Sequence, residues 1–227
     1  MTREDCGTEA LAVTDPDDIR AFDTAAPTRE DTETATFALG CFWGPDVTFG
    51  AVEGVVRTRV GYAGGTHENP TYHDLGDHSE AIQVDYDPAV VSFASLVDVA
   101  VANHDPRRQP RKRQYQSVLF FESGSGSESE REGEVDGGGE STPEKETIEA
   151  RLAEIPVTVE TRVEPLDGFL LAEDYHQKYN LRSDRALLSA FEAADYDDAA
   201  IRDSPAAAKL NAAVAGKDVP DIARVEQ

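Results

Sequence analysis

Apolar positions recur with a period of two in several short stretches of the chain, the spacing of half-buried strands. Thr34–Leu39 is β-prone and stops at Gly40. Val55–Tyr62 alternates around Arg57 and Arg59, and Ala81–Tyr86 puts Ile82, Val84 and Tyr86 on one side. Ser117–Phe121 is apolar throughout and reads as a central strand, and Val157–Val163 supplies a fifth. Helical spacing fills the gaps. One helix is predicted from Trp43 to about Val52, with Pro45 tolerated in its first turn and Asp46 favouring its positive end. A second follows Ser92 as N-cap, carries Phe93, Leu96, Val97 and Val101, and ends near Asn103-His104-Asp105-Pro106. A third starts at Thr142-Pro143 and runs to about Glu154; helical stretches are also predicted over Leu171–Tyr179 and after Ser183. Thr66–Ser79 reads as a loop.

Strands interleaved with helices predict an α/β (α+β) two-layer sandwich, a mixed sheet flanked by helices with a ferredoxin-like core. The expected catalytic unit is 34–202. It is interrupted by a Ser/Gly/Glu segment, 122–141, whose composition supports no core, so it reads as a flexible surface insertion. Residues 1–33 read as an acidic disordered tail, and 203–227 as an Ala-rich segment and tail.

Charge narrows the possible partners. The chain has 227 residues, 45 acidic and 21 basic, a formal charge of −24. Such a surface repels nucleic acid and anionic membranes, so neither is an expected partner. The basic residues are 16 arginines and five lysines. Acidic and Lys-poor composition fits a high-salt cytoplasm. No apolar run approaches the ~20 residues of a membrane span, and the first residues carry no signal-peptide pattern. Two cysteines, Cys6 and Cys41, make no disulfide framework, which again fits a reducing cytoplasm. A monomer is expected.

Cys41 falls between a predicted strand and a predicted helix. A thiol there feels the positive end of the helix dipole, which favours thiolate and nucleophilicity. A buried structural cysteine is the alternative. The adjacent Phe42 and Trp43, the latter the only tryptophan in the chain, favour a reactive thiol beside an apolar wall.

Eight short motifs then occur in order: Gly40-Cys41-Phe42-Trp43-Gly44, Gly61-Tyr62-Ala63-Gly64-Gly65, Asn69-Pro70-Thr71-Tyr72, His78-Ser79-Glu80-Ala81, Tyr86-Asp87-Pro88, Asn103-His104-Asp105-Pro106, Gln114-Tyr115-Gln116-Ser117 and Ala172-Glu173-Asp174-Tyr175-His176-Gln177. In these the chain resembles the A-type peptide methionine sulfoxide reductases, over Phe37–Tyr179. The resemblance implies reduction of the S epimer of methionine sulfoxide, free or in oxidised proteins. Cys41 would be the nucleophile and Glu80 the acid that protonates the departing oxygen. Tyr72 and Tyr115 would hydrogen-bond that oxygen, and Phe42 and Trp43 would hold the methyl group. The product on the enzyme would be a Cys41 sulfenic acid, reduced by an external thiol such as a thioredoxin-like protein, with no bound cofactor.

The chain departs from the family in two places. Many relatives carry an Asp in a Gly-Asn-Asp-x-Gly-Thr segment before the Gln-Tyr pair. Here the stretch is Pro106-Arg107-Arg108-Gln109-Pro110-Arg111-Lys112-Arg113, a basic run that either draws anionic substrates or offsets the acidic surface, the second being favoured because charge runs are usually solvated. Many relatives also have resolving cysteines near the C-terminus. None follows Cys41 here, and Cys6 is the only intramolecular candidate; its tail could reach Cys41 because loop closure costs grow slowly with length. Two rival readings remain. His67, His73, His78 and His104 with nearby carboxylates suggest a metal site, but their spacing matches no tight motif, so no metal is expected. The other rival is a non-catalytic redox sensor or binding module on the same fold, with Cys41 as its oxidisable thiol.

Overall fold

A computed structural model describes residues 15–123, 142–220 and 222. The strands are β1 (Glu33–Leu39), β2 (Val55–Ala63), β3 (Ser79–Tyr86), β4 (Ser117–Glu122), β5 (Arg162–Leu166) and β6 (Phe169–Leu171). They form one sheet in the order β5-β4-β1-β3-β2-β6. Only β4–β5 is parallel, and the other pairs are antiparallel. Helix α1 is Pro16–Ala25, α2 is Trp43–Gly50, α3 is Phe93–Ala102 and α4 is Pro143–Ala153. Helices α5 to α8 span Tyr179–Ser183, Arg185–Ala193, Asp198–Asp203 and Pro205–Val214.

The central four strands, in the order β4-β1-β3-β2 and joined as β1-α2-β2-β3-α3-β4, have the ferredoxin-like arrangement. Period-two alternation sends β1 side chains to two layers. Phe37 and Leu39 join Phe49 of α2, Leu96 of α3 and Ile148 of α4 in the main core. Ala38 faces the other side, with Ala63, Ala81, Val118 and Phe120. The caps follow the sequence signals: Ser92 Oγ accepts from the Ser95 N–H, and Thr142 Oγ1 from the Lys145 N–H. Among the described residues no helix is long and apolar enough to cross a membrane.

The termini need correction. Part of 1–33, read as disordered, is α1, capped by Asp15 with Pro16 in its first turn. Its Ile19 is fully buried with Leu187, Phe191, Ile201 and Leu210 in a second core built by the N- and C-terminal helices. Within 203–227, α8 is among the most buried segments, with Ala206, Ala207 and Ala208 fully covered. Its small side chains allow backbone contact with α2, where a Cβ on Gly50 would meet the Ala208 carbonyl oxygen at 2.6 Å. The folded unit is therefore wider than 34–202. The fifth strand starts later than the predicted Val157 and runs over Arg162–Leu166. The predicted helix Leu171–Tyr179 is not formed as one element. It divides into the end of β6, a 3-10 turn Asp174–His176 and the start of α5, because Lys178 takes a left-handed conformation with φ 53°. Residues 124–141 of the insertion lie outside the described residues.

Candidate active site

At the end of β1 the chain turns at Gly40, whose φ of 88° suits glycine. Cys41 follows, exposed, just ahead of α2. Glu80, second residue of β3 and opposite Tyr62 of β2, is 1% exposed. Its Oε2 accepts from the Phe42 backbone N–H at 3.1 Å and its Oε1 from the Gln114 amide at 2.5 Å. Burial pushes the Glu80 pKa up, while the Gln114 and Phe42 bonds and the Lys112 charge pull it down. The Cys41 pKa is also raised. Partial desolvation of the thiol is the main cause; the Trp43 N–H lowers it and the Glu80 charge raises it. The helix-start argument thus holds for the Trp43 N–H and is outweighed by that desolvation.

The two thiol-side groups are coupled. Moving a proton from Cys41 to Glu80 replaces one anion by another, so the site never holds both charges and the repulsion between them does not arise.

Tyr115 closes a 3-10 turn, Arg113–Tyr115, and its phenol is near enough to that of Tyr72 to feel it. Partial burial, the Glu80 charge and the Tyr72 phenol raise its pKa, which keeps it protonated as a donor. Tyr72 lies on the loop between β2 and β3. Glu173 holds that loop, its Oε1 accepting the Tyr72 N–H at 3.0 Å and its Oε2 the Tyr62 hydroxyl at 2.7 Å.

An aromatic wall completes the site. The Phe42 ring lies 5.1 Å from His176 and 6.2 Å from Tyr62, and Trp43 stacks on Tyr179 at 3.9 Å. His176 also packs on Tyr72 at 4.6 Å. Trp43 Nε1 and both His176 ring nitrogens are buried without a hydrogen-bond partner, so ring packing holds this wall. Burial lowers the His176 pKa, leaving the ring neutral. Cys41, Glu80, Tyr72, Tyr115, Phe42 and Trp43 thus come together from four separate stretches of chain. Cys6 lies outside the described residues.

Sequence reading missed the supporting groups. Gln114, Glu173 and His176 sit inside the quoted motifs but were given no role there; Tyr179 lies just beyond the last one. The basic run also needs correction. Arg113 donates from Nε to the Asp77 carbonyl at 2.9 Å and from Nη2 to the Gly64 carbonyl at 2.7 Å, while Lys112 sits 5.1 Å over the Tyr115 ring. These two are parts of the site and not merely solvated charge. The histidines have structural partners: His78 Nε2 lies 2.9 Å from the His67 carbonyl, and His104 bridges the Ala100 carbonyl and Thr161 at 2.7 Å each. Among the described residues no three His, Cys, Asp or Glu side chains gather as a metal site.

A family model for peptide methionine sulfoxide reductase matches residues 33–205. The chain belongs to the peptide methionine sulfoxide reductase family. The enzyme of Drosophila melanogaster is 37% identical over 184 residues, 81% of this chain and 68% of that one. The MsrA of Methanosarcina acetivorans is 39% identical over 160 residues, 66% of this chain and 78% of that one. Among solved structures, methionine sulfoxide reductase A of Corynebacterium diphtheriae aligns with a TM-score of 0.53 at 30% identity, covering 68% of this chain and 77% of that one. Reduced Mxr1 of Saccharomyces cerevisiae gives 0.53 at 26% identity, covering 66% and 84%. Like the rest of its family, this peptide methionine sulfoxide reductase is an oxidoreductase that reduces methionine sulfoxide. The matched segment includes α5, α6 and α7 and leaves out α1 and all of α8 after its first residue.

Proposed function

We propose that the chain reduces the S epimer of methionine sulfoxide, in oxidised proteins or free, through Cys41. The thiolate attacks the sulfoxide sulfur, and Glu80 delivers a proton to the oxygen as the S–O bond weakens. Tyr72 and Tyr115 donate to the oxygen as charge builds on it. The sulfur–sulfur bond made in the attack then breaks as the hydroxyl oxygen bonds to Cys41 Sγ, its electron pair returning to the methionine sulfur, which leaves the thioether of methionine and a Cys41 sulfenic acid. One external thiol condenses with the sulfenic acid, releasing water and leaving a mixed disulfide. A second thiol attacks that disulfide and returns Cys41. The observation that best supports this reading is the clamp on Glu80, a fully buried carboxylate bound by an amide and by the N–H that follows Cys41. Burial holds the proton that the departing oxygen needs.

The external thiol is a thioredoxin-like protein or a small thiol, and Cys6 is a candidate intermediary. The working setting is a reducing, salt-rich cytoplasm, in keeping with the acidic, Lys-poor chain, which acts as a monomer. Turnover of a Met S-sulfoxide peptide with dithiothreitol tests the reading. Cys41→Ser must abolish it, and the R-sulfoxide peptide must not react. Turnover surviving Cys41→Ser overturns the assignment. Absence of turnover, with Cys41 still oxidised by peroxide, returns the protein to the sensor reading. Thiol counts after one turnover without reductant test Cys6: a retained Cys6 thiol removes it from the cycle.

A further inference from the structure

The densest run of like charge is one of opposite sign to the molecule. Five of the 21 cations fall within residues 107–113 of a chain with a formal charge of −24. They divide into distinct roles. Arg113 is an anchor, bonded to two backbone carbonyls and 3.9 Å from Glu164. Arg107 and Arg108 share Asp105, at 2.8 and 3.4 Å, and the Arg108 side chain is 80% exposed. Arg111 and Lys112 are exposed and have no carboxylate partner among the described residues.

This run borders a cleft of about 500 Å³. Arg108, Gln109 and Pro110 line one part of it; Leu39, Gly40 and Tyr115 line another. The cleft therefore reaches the residue before the nucleophile. None of the aromatic-wall residues Phe42, Trp43, His176 or Tyr179 lines it, so it is a separate space beside the reacting groups. Gln109 fixes its floor, its amide bonded to the Ser117 and Glu160 carbonyls at 2.6 and 2.9 Å.

A methionine sulfoxide in a polypeptide brings its neighbours with it. With the sulfoxide at Cys41, residues a few positions away along an extended strand are within reach of this cleft, since each residue spans about 3.3 Å. We propose that the cleft is a subsite for acidic residues flanking the methionine sulfoxide of a polypeptide substrate, held by Arg108, which lines it, and by the exposed Arg111, which follows the lining residue Pro110. This rests on the reading of Cys41 as the nucleophile. The exposed Arg108–Asp105 pair is weak and readily exchanged for a substrate carboxylate. The net charge alone would disfavour acidic peptides. Within a Debye length, about 10 Å at 0.1 M salt, the five cations of 107–113 outnumber the two carboxylates at the cleft, Asp105 and Glu160.

The test uses the full chain with dithiothreitol, so that no protein reductant competes for the surface. It runs in the lowest salt that preserves the far-UV CD spectrum. Three synthetic peptides carry one Met S-sulfoxide flanked by Asp/Glu, Ser or Lys, and N-acetylmethionine sulfoxide serves as the unflanked reference. Relative to that reference, kcat/KM should favour the acidic over the neutral peptide about fivefold, the order expected of a few partly exposed ion pairs, and mainly through KM. In R108S/R111S the preference should vanish or pass to the Lys peptide. Equal rates for acidic and neutral peptides in the parent chain overturn the subsite, as does an acidic preference that survives R108S/R111S. Cys41→Ser is assayed alongside. Its inactivity with equal parent rates on all peptides sinks only the subsite, whereas its activity sinks the Cys41 reading.

Discussion

Two carboxylates, Glu80 and Asp46, are both 1% exposed, yet their surroundings differ in kind. Asp46, on α2, meets a cation. Its Oδ1 accepts from the Thr58 hydroxyl at 2.5 Å and lies 3.4 Å from Lys178 Nζ, and its Oδ2 accepts from the Asn211 amide at 3.0 Å. Glu80 meets only a backbone N–H and a side-chain amide as donors. A buried carboxyl bonded to a buried lysine and to two polar side chains fixes geometry. A buried acid with neutral donors is pushed towards its protonated form, which is what proton delivery needs. The difference separates the scaffold of the site from its chemistry, and substitutions on either side can break it.

The largest expected effect is on Glu80. Glu80→Gln keeps an oxygen for the Phe42 N–H and removes the proton and the charge. We expect kcat with a Met S-sulfoxide peptide to fall about 10²- to 10⁴-fold, the usual contribution of a general acid, with the far-UV CD spectrum retained. A second readout separates chemistry from damage. The Glu80 charge raises the Cys41 pKa, so its loss should move the alkylation of Cys41 by iodoacetamide, followed by peptide mass mapping, to lower pH. A fall in kcat below tenfold, or an unmoved alkylation profile, removes Glu80 from the role.

Lys178 tests the opposite side. Its ammonium is fully buried and donates to the Thr58 carbonyl at 2.5 Å as well as to Asp46. Burial lowers its pKa, and Asp46 opposes that shift. Lys178→Met leaves Asp46 buried without its countercharge and should cost about 3–5 kcal/mol, read as a lower midpoint in denaturant. Adding Asp46→Asn should recover part of the loss; a double variant as unstable as the sum of the singles would show that the two do not act as a pair. Lys178 precedes Tyr179, which stacks on Trp43, so KM should rise in the single variant even where the fold holds.

Much of this contrast was legible in the chain, though unevenly. The strands around Phe37, Val60 and Ile82 and the helix behind Ser92 announced themselves by periodicity and caps, because each has one large apolar face. Helix α8 did not. Its contact with α2 is made by alanines and Gly50, and small side chains carry little periodic signal while permitting close backbone approach. Helix α1 relies on few apolar anchors, Ile19 and Phe22 among them, within acidic sequence. The break at Lys178 is a backbone conformation paid for by long-range bonds to Thr58 and Asp46, 120 and 132 residues away, which no local pattern encodes. Cys41, Glu80 and the tyrosines were readable as motifs. The partners that tune them, Gln114, Lys112 and Glu173, act across distant segments and became visible only when the sheet brought those segments together.

The smallest expected effect is a shift in a pH profile. The reactive microstate carries the proton on Glu80 and the charge on Cys41. Because a carboxyl ionises before a thiol, the pair loses its first proton chiefly from Glu80 and its second chiefly from Cys41. The kcat/KM profile should therefore rise through the lower ionisation and fall through the upper. Gln114 and Lys112 both lower the Glu80 pKa, Gln114 through a buried hydrogen bond and Lys112 through its charge. Gln114→Leu or Lys112→Met should raise that pKa further and move the rising limb to higher pH. The two should part on salt. Raising salt screens the exposed ammonium in the parent chain, so the parent rising limb should approach that of Lys112→Met; the displacement caused by Gln114→Leu should persist. A rising limb that moves to lower pH in either variant would mean that Glu80 ionises without the help of these donors, and the contrast with Asp46 would then rest on the buried Lys178 beside Asp46 alone.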